Sequence, residues 1–170
     1  PYGAYLADGS EYDGRYARPG PAGIGQAALR AFHAERWEVL REAGADVLAC
    51  ETIPSRLEAE VLCELIAETP EVPAWLSLSC RDGAHSGDGT PIEEFARMAA
   101  GLPGLAAIGV NCTAPRHVPE LVARLAEAAP DTPVCAYPNS GEGWDAGRRE
   151  WTGSADSLAD AVRFGAAARE

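Results

Sequence analysis

The stretch LAAIGVNCTAP, residues 105–115, is an apolar run that ends abruptly in Asn111, Cys112 and Thr113. Short apolar runs bounded by polar and turn residues are typical of buried β-strands. Three more runs of this kind occur along the chain, and the four together predict four strands. The other three are ADVLACE (45–51), PAWLSLSC (73–80) and TPVCAY (132–137).

Helical patterns separate the predicted strands. In each pattern the apolar residues recur every three or four positions, which is the spacing of one helix face. Ser55 followed by Glu58 predicts a capping box at the start of one helix. Thr90 as N-cap, with Pro91 at the first helical position, predicts the start of another. The predicted helices are 26–44, 55–68, 90–102, 119–129 and 155–170.

The alternation of strands and helices predicts an α/β fold with a parallel sheet. Polar, chemically capable residues follow every predicted strand, at positions 51–52, 80–82, 111–113 and 137–140. In parallel α/β folds the carboxyl ends of the strands carry the site, and enrichment at every strand favours a barrel over a doubly wound sheet. The first 25 residues are rich in Gly, Pro and Tyr and predict one long loop.

Composition limits the classes of partner and the compartment. The length of 170 residues suits a single domain spanning 1–170. The net charge of −12 makes nucleic acid and anionic membranes poor partners. The five cysteines are an odd number, widely spaced and without a CxxC motif, so they do not predict a disulfide scaffold. A reducing cytoplasm is therefore the expected location.

Several interpretations compete at individual residues. Glu51 is either a solvated strand terminus or a group that binds a cation or transfers protons. Cys112 is either a small core residue or a metal ligand. GIGQAA (23–28) matches a dinucleotide-binding fingerprint, but that fingerprint requires a strand directly before it, where the sequence has two prolines. A hydrolase that pairs Glu51 with Asp82 or Glu142 is a further alternative.

Five motifs at the predicted strand ends and in the first segment resemble one family. They occur in order along essentially the whole chain, and the last is followed by Trp151 and Gly153. The motifs are GAYLADGSEYDG (3–14), CETIPS (50–55), RDGAHSGDGTP (81–91), GVNCTAP (109–115) and YPNSGEGWD (137–145). Together they resemble the homocysteine S-methyltransferases, and most of all the type that uses S-methylmethionine or S-adenosylmethionine as methyl donor.

The resemblance implies a fold, a cofactor and roles for four residues. The family fold is a (βα)8 barrel with zinc at its carboxyl face, and the enzyme transfers a methyl group to homocysteine to give methionine. Three cysteines hold the zinc, of which Cys112 matches one and an adjacent GGCC pair supplies the others. Glu51 corresponds to the residue that binds the homocysteine amino group, and Thr52, next to it, is expected to be a second substrate-binding residue. Asn139 corresponds to an extra zinc contact.

The resemblance also implies a limit. The sequence has no GGCC motif, and its segments match the family's fourth to seventh strands. We therefore expect an internal fragment that lacks the first three strands and the last one, with an incomplete zinc site and no activity by itself. Open sheet edges would favour self-association. The alternative function is a non-catalytic remnant or interaction domain.

Overall fold

The computed structural model describes residues 1–18, 20, 23–140, 143–145 and 147–152. Its centre is a four-stranded sheet in which every neighbouring pair is parallel and the strand order follows the chain order. The strands are β1 (Leu48–Ile53), β2 (Ala74–Leu78), β3 (Leu105–Asn111) and β4 (Val134–Tyr137). A separate two-stranded antiparallel sheet follows, made of β5 (Gly143–Asp145) and β6 (Glu150–Thr152).

Five α-helices lie in the described residues, and two 3₁₀ turns span Arg15–Ala17 and Pro115–His117. The last predicted helix, 155–170, lies outside those residues. None of the described helices is both long enough and apolar enough to cross a membrane. The helices are α1 (Tyr2–Leu6), α2 (Gln26–Glu42), α3 (Arg56–Glu68), α4 (Ile92–Ala99) and α5 (Val118–Ala128).

One face of the sheet packs against the helices, and the other face is more open. Along β1, Leu48 and Cys50 are buried while Ala49 and Glu51 are exposed, as expected for alternate residues on opposite faces. Ile108 and Val110 of β3 are fully buried in the same core. Parallel strands whose order across the sheet follows their order in the chain form an arc of a barrel. In a doubly wound sheet the strand order reverses at a switch point. The prediction of a barrel-type α/β fold is confirmed.

The strands occur where they were predicted, but the prediction that Glu51 ends β1 is wrong. The strand starts at Leu48 and continues two residues past Glu51 to Ile53. The preceding turn is longer than expected because Gly44 takes the left-handed conformation, with φ of 77°, and the residues after it are exposed. Glu51 therefore lies on the open face of the sheet within the strand.

The helix-start prediction at Thr90 is also wrong. Helix α4 starts at Ile92, and Pro91 precedes it as the N-cap with ψ of 135°. The backbone of Thr90 instead closes a loop, because its carbonyl accepts the Ser86 N–H at 3.0 Å. Thr90 and Pro91, which the capping pattern assigned to the helix start, therefore belong to the loop before α4.

The first 25 residues do not form one long loop. They contain α1 and the turn at Arg15–Ala17, and a buried carboxylate on α3 holds both. Glu58 accepts the backbone N–H of Tyr2 at 2.6 Å, the hydroxyl of Tyr16, and an imidazole hydrogen bond from His33 at 2.7 Å. Elements separated in sequence by up to 56 residues are thus fastened to one side chain.

This inward position of Glu58 contradicts the predicted capping box. Ser55 is the N-cap of α3, but its side chain makes no capping hydrogen bond. Glu58 is fully buried and turns away from the helix start toward Tyr16 and His33. A buried carboxylate is stable only when it is hydrogen-bonded, and donors from the first segment supply those bonds. The S-x-x-E pattern therefore marks a tertiary contact in this chain.

We expect Glu58→Gln to lower the free energy of unfolding by about 1–3 kcal/mol, because it weakens charge-assisted hydrogen bonds in the core. Burial acts to raise the pKa of Glu58, but hydrogen bonds from His33 and Tyr16 outweigh it and hold the pKa below the ordinary 4.5. The stabilisation is therefore fully present above pH 4.5 and is lost as the pH falls through the lower folded-state pKa.

Urea unfolding of the wild type and the variant between acid and neutral pH measures both effects. Glu60→Gln is the matched control, because Glu60 lies on the same helix and forms its ion pair with the exposed Arg56. That exchange should cost about 0.5 kcal/mol or less. Equal losses in the two variants, or a Glu58→Gln loss that grows as the pH falls, would contradict the assigned role.

Candidate active site at the strand ends

Two residues that the sequence singled out adopt strained backbone conformations at the carboxyl ends of β1 and β3. Thr52 has φ of 61° and Cys112 has φ of 45°. Non-glycine residues rarely adopt such angles, and a β-branched residue such as threonine does so least readily. Such strain persists only where the surroundings enforce it, and it concentrates at functional sites.

Asn111, the last residue of β3, holds these two residues together. Its Oδ1 accepts the Thr52 backbone N–H at 2.9 Å and the Ser77 hydroxyl at 2.9 Å. Its Nδ2 donates to Thr52 Oγ1 at 2.7 Å and contacts Cys112 Sγ at 3.4 Å. The side chain is 2% exposed. One buried amide thus links β1, β2 and β3 and fixes the surroundings of the thiol.

Cys112 differs in its surroundings from three of the other cysteines. Its sulfur lies at the carboxyl edge of the sheet, where β3 ends, and is 3.6 Å from Thr52 Oγ1. The residue is half-buried. Burial raises the pKa of Cys50, Cys63 and Cys80 to about 12 in each case, so these three remain protonated thiols at neutral pH. Cys50 packs beneath the helices, as expected for the neighbour of Glu51, which lies on the open face of the sheet.

Glu51 is held from β4. The hydroxyl of Tyr137 donates to Glu51 Oε2 at 3.1 Å and accepts the indole N–H of Trp75 at 2.9 Å. The three residues belong to β4, β1 and β2, and the contact bridges the open face of the sheet. The carboxylate remains exposed, so it is oriented and still available to a cationic group.

Thr113 continues the network toward β2 and β4. Its hydroxyl accepts the Cys80 backbone N–H at 2.9 Å and donates to the Asn111 carbonyl at 2.9 Å. Asn139 reaches the same edge through its backbone, because its N–H donates to the Thr113 carbonyl at 3.0 Å. The strand ends therefore bring Thr52 against Cys112 and Asn139 against Thr113, while Glu51 lies on the open face of β1, one residue before Thr52.

The two rival interpretations lack support in the described residues. Burial acts to raise the pKa of Asp82, but hydrogen bonds from the Ala84 backbone and from His85 lower it to about 2. Its carboxylate therefore organises its own loop, and Glu142, the other proposed partner of Glu51, lies outside the described residues. The described residues before GIGQAA form a 3₁₀ turn at Arg15–Ala17 and bends, so none of them supplies the strand that the fingerprint requires.

The residues at this edge match a zinc site only in part. A thiolate is a preferred zinc ligand, and catalytic zinc takes three protein ligands with one position open. Cys112 offers a sulfur at the sheet edge, yet residues 1–18, 23–140 and the short described stretches after them hold no group of three His, Cys, Asp or Glu residues placed to bind a metal. The described residues therefore do not form a complete metal centre.

Barrel-type topology, strained backbone at Thr52 and Cys112 and a carboxylate oriented by Tyr137 are typical of the α/β barrel class, with the candidate site at the carboxyl face. The family model described as "Homocysteine S-methyltransferase" matches residues 1–166. The chain belongs to the homocysteine S-methyltransferase family.

Named relatives agree over most of this chain and about half of their own length. The homocysteine S-methyltransferase YbgG of Bacillus subtilis is 46% identical over 169 residues, which cover 99% of this chain and 50% of YbgG. The homocysteine S-methyltransferase of Escherichia coli is 44% identical over 151 residues, covering 89% of this chain and 46% of that protein. This chain thus spans about half the length of the curated relatives that it matches.

The fold is shared as well. The crystal structure of the homocysteine methyltransferase MmuM from Escherichia coli in its metallated form superposes with a TM-score of 0.75 at 44% identity. The match covers 83% of this chain and 46% of that one. The family and the fold expected from the motifs are confirmed, whereas the roles of Glu51, Thr52, Cys112 and Asn139 remain predictions.

Sequence reasoning missed two residues of this site. Asn111 and Tyr137 were noted only as residues at strand ends, yet they hold Thr52 and Glu51 in place. The signal for Asn111 was available, because a polar residue at the last position of an apolar strand must find partners when it is buried. No sequence signal shows that the Tyr137 hydroxyl reaches β1.

Proposed function

We propose that this chain carries the homocysteine-binding part of a homocysteine S-methyltransferase, which transfers a methyl group from a sulfonium donor to homocysteine and yields methionine. The observation that supports this most is the cluster of Thr52, Asn111 and Cys112 at the carboxyl ends of β1 and β3. Glu51 precedes Thr52 on β1, and Tyr137 holds its carboxylate. Family membership supplies the reaction class, and the cluster supplies residues suited to it.

In this proposal Glu51 binds the ammonium group of homocysteine through its exposed carboxylate. Tyr137 fixes the orientation of that carboxylate by its hydrogen bond, so the substrate sulfur is aimed at one point of the edge. Thr52 borders the same space. Cys112, with Asn139 as a further ligand, would contribute to a zinc site. Bound zinc would keep a substrate thiol deprotonated and therefore nucleophilic.

Two related expectations belong to this proposal. Residues 1–170 alone should lack zinc-dependent methyl transfer, because Cys112 is the only cysteine that we assign to the metal. Self-association through the outer edges of β1 and β4 is a further expectation, since unpaired strand edges favour pairing. The reducing cytoplasm inferred from cysteine usage remains a prediction.

The role of Glu51 is tested in a chimera in which residues 1–170 replace the matching 169-residue segment of Bacillus subtilis YbgG. We expect Glu51→Gln to raise the KM for homocysteine by about 10- to 100-fold, which is the loss of a hydrogen bond to a charged group. The value of kcat should change much less, because this contact is made in both the ground state and the transition state.

Steady-state kinetics with homocysteine as the varied substrate measures this split. Glu127→Gln is the matched control, since Glu127 is an exposed carboxylate on α5, and its KM should equal that of the unaltered chimera. A Glu51→Gln chimera with an unchanged KM would exclude the carboxylate from homocysteine binding.

A further inference from the structure

Two hydrogen bonds in series cross the open face of the sheet and end on the Glu51 carboxylate. The indole N–H of Trp75 donates to the hydroxyl oxygen of Tyr137 at 2.9 Å, and that hydroxyl donates to Glu51 Oε2 at 3.1 Å. Both distances lie within the range of protein hydrogen bonds. We call these three side chains the relay. It starts on β2, passes through β4 and ends on β1.

Small residues in register with Trp75 leave room for this crossing. Parallel pairing places Ala49 of β1 and Ala107 of β3 directly beside Trp75, and Gly109 follows on the same face of β3. Neighbouring strands are about 4.8 Å apart, so side chains on β2 and β4 start roughly 10 Å from each other. Because the residues of β3 between them are small, the two long aromatic side chains meet above that strand.

The donors and acceptors of the relay fix its direction. An indole N–H can only donate a hydrogen bond and a carboxylate can only accept one, whereas a tyrosine hydroxyl does both. Because Trp75 donates to the Tyr137 oxygen, the single hydroxyl proton is directed to Glu51. Burial raises the pKa of Tyr137, so the hydroxyl keeps its proton at neutral pH. The Glu51 carboxylate is thereby held in one orientation while it remains exposed to a ligand.

We propose that Trp75 is a positioning residue for the amino group of homocysteine and that it acts through Tyr137 and Glu51. The inference rests on the proposed function, which supplies the substrate and assigns its ammonium group to Glu51. A hydrogen bond from an ammonium group weakens steeply when the acceptor is out of line. Without the indole N–H, the Tyr137 hydroxyl is free to turn and the carboxylate loses its fixed orientation. Trp75 therefore contributes to selection for the amino group and not to binding of the thiol end.

Steady-state kinetics of the chimera tests this role with two thiols at a constant concentration of S-methyl-L-methionine. The thiols are L-homocysteine and 4-mercaptobutanoate, which has the same carbon chain and carboxylate but no amino group. Trp75→Phe removes the indole N–H and keeps an aromatic ring. We expect it to raise the KM for homocysteine about 3- to 10-fold, which corresponds to one neutral hydrogen bond. The kcat with homocysteine and the KM for 4-mercaptobutanoate should stay within about twofold of the unaltered chimera.

Tyr137→Phe is the second variant, because it removes the oxygen that links Trp75 to Glu51. It should raise the KM for homocysteine by about tenfold. Adding Trp75→Phe to it should change that value by no more than about twofold, since the link is already broken. Effects of the two substitutions that multiply would assign both side chains to independent packing and would overturn the inference.

Trp37→Phe is the matched control for the loss of an indole hydrogen bond. The indole N–H of Trp37 donates to Thr69 Oγ1 at the same distance, 2.9 Å, between α2 and the end of α3. This substitution should lower the free energy of unfolding of the 170-residue chain and leave both KM values within about twofold. An equal rise of both KM values in Trp75→Phe, or an equal rise for homocysteine in Trp37→Phe, would contradict a positioning role.

The outcomes separate this inference from the proposed function. A raised KM for homocysteine in Glu51→Gln, together with an unchanged KM in Trp75→Phe, would overturn the role of Trp75 and leave the proposed function intact. An unchanged KM in Glu51→Gln with a raised KM in Trp75→Phe would overturn both, because the relay would then not act through the carboxylate.

Calorimetric titration of the two thiols into the same variants gives the preference as a ratio of Kd values for any variant that turns over too slowly. Trp75→Phe should lower the preference for homocysteine over 4-mercaptobutanoate by about 3- to 10-fold. A ratio equal to that of the unaltered chimera would overturn the role of Trp75.

Discussion

We expect Cys112→Ser to lower the rate of methyl transfer by the chimera by more than about a hundredfold. Replacing a residue that only hydrogen-bonds to a metal ligand already costs roughly 10- to 100-fold in metal affinity or activity. A serine hydroxyl has nearly the same size as the thiol but is a poor ligand for zinc, which prefers thiolate sulfur. The protein should keep its fold, because Cys112 is half-buried at the sheet edge and does not belong to the packed core.

Methionine formation and zinc content measured on the same sample test this expectation. Cys135→Ser is the matched control, because Cys135 is also half-buried and lies on the neighbouring strand β4. The control should retain both zinc and activity within a fewfold. A Cys112→Ser chimera that keeps full zinc and full activity would show that Cys112 is a packing residue, which is the other interpretation of its sequence.

Asn111→Ala is expected to have the largest effect on stability in the site. The substitution removes the acceptor that Asn111 Oδ1 provides for the Thr52 backbone N–H and for the Ser77 hydroxyl. Each buried donor left without a partner costs about 1–3 kcal/mol, so a loss of about 3 kcal/mol or more in the free energy of unfolding is expected. The left-handed Thr52 should then relax, which would disturb the contact with Cys112.

Denaturant unfolding of the 170-residue chain measures this loss. Ser77→Ala is the control, because it removes a single hydrogen bond to the same amide and should cost about 1 kcal/mol. Thiol labelling adds a second readout, since release of Thr52 and loss of the Asn111 amide should change the rate at which Cys112 reacts. Equal losses for Asn111→Ala and Ser77→Ala, with an unchanged labelling rate, would contradict the central position of Asn111.

Sequence periodicity predicted the strands and most helices of this chain well, because the positions that face the core must be apolar and these positions recur with the period of the element. Apolar residues of β3 such as Ile108 and Val110 are buried, as their run predicts. Local patterns failed where a distant partner competed. Glu58 fits a capping box in sequence, but Tyr16 and His33 draw it into the core, and nothing local to α3 reveals those partners.

The candidate site shows the same division. The residue types at the strand ends pointed to Cys112 and Glu51, since parallel strands place their carboxyl ends together. The backbone conformations of Thr52 and Cys112 could not be predicted, because they depend on the Asn111 side chain that crosses from β3 to β1. The position of the turn at residues 9–14 could not be predicted either, since it depends on a hydrogen bond from Ser79, which lies 68 residues from Glu11.

Methionine formation by the chimera of residues 1–170 with YbgG tests the account most directly. Purified chimera is mixed with L-homocysteine and S-methyl-L-methionine, and the products are quantified by mass spectrometry beside the 170-residue chain alone. We predict that the chimera forms methionine and that the chain alone forms none above the uncatalysed background. A folded chimera that binds zinc but forms no methionine would contradict the proposal that this chain carries a working homocysteine site.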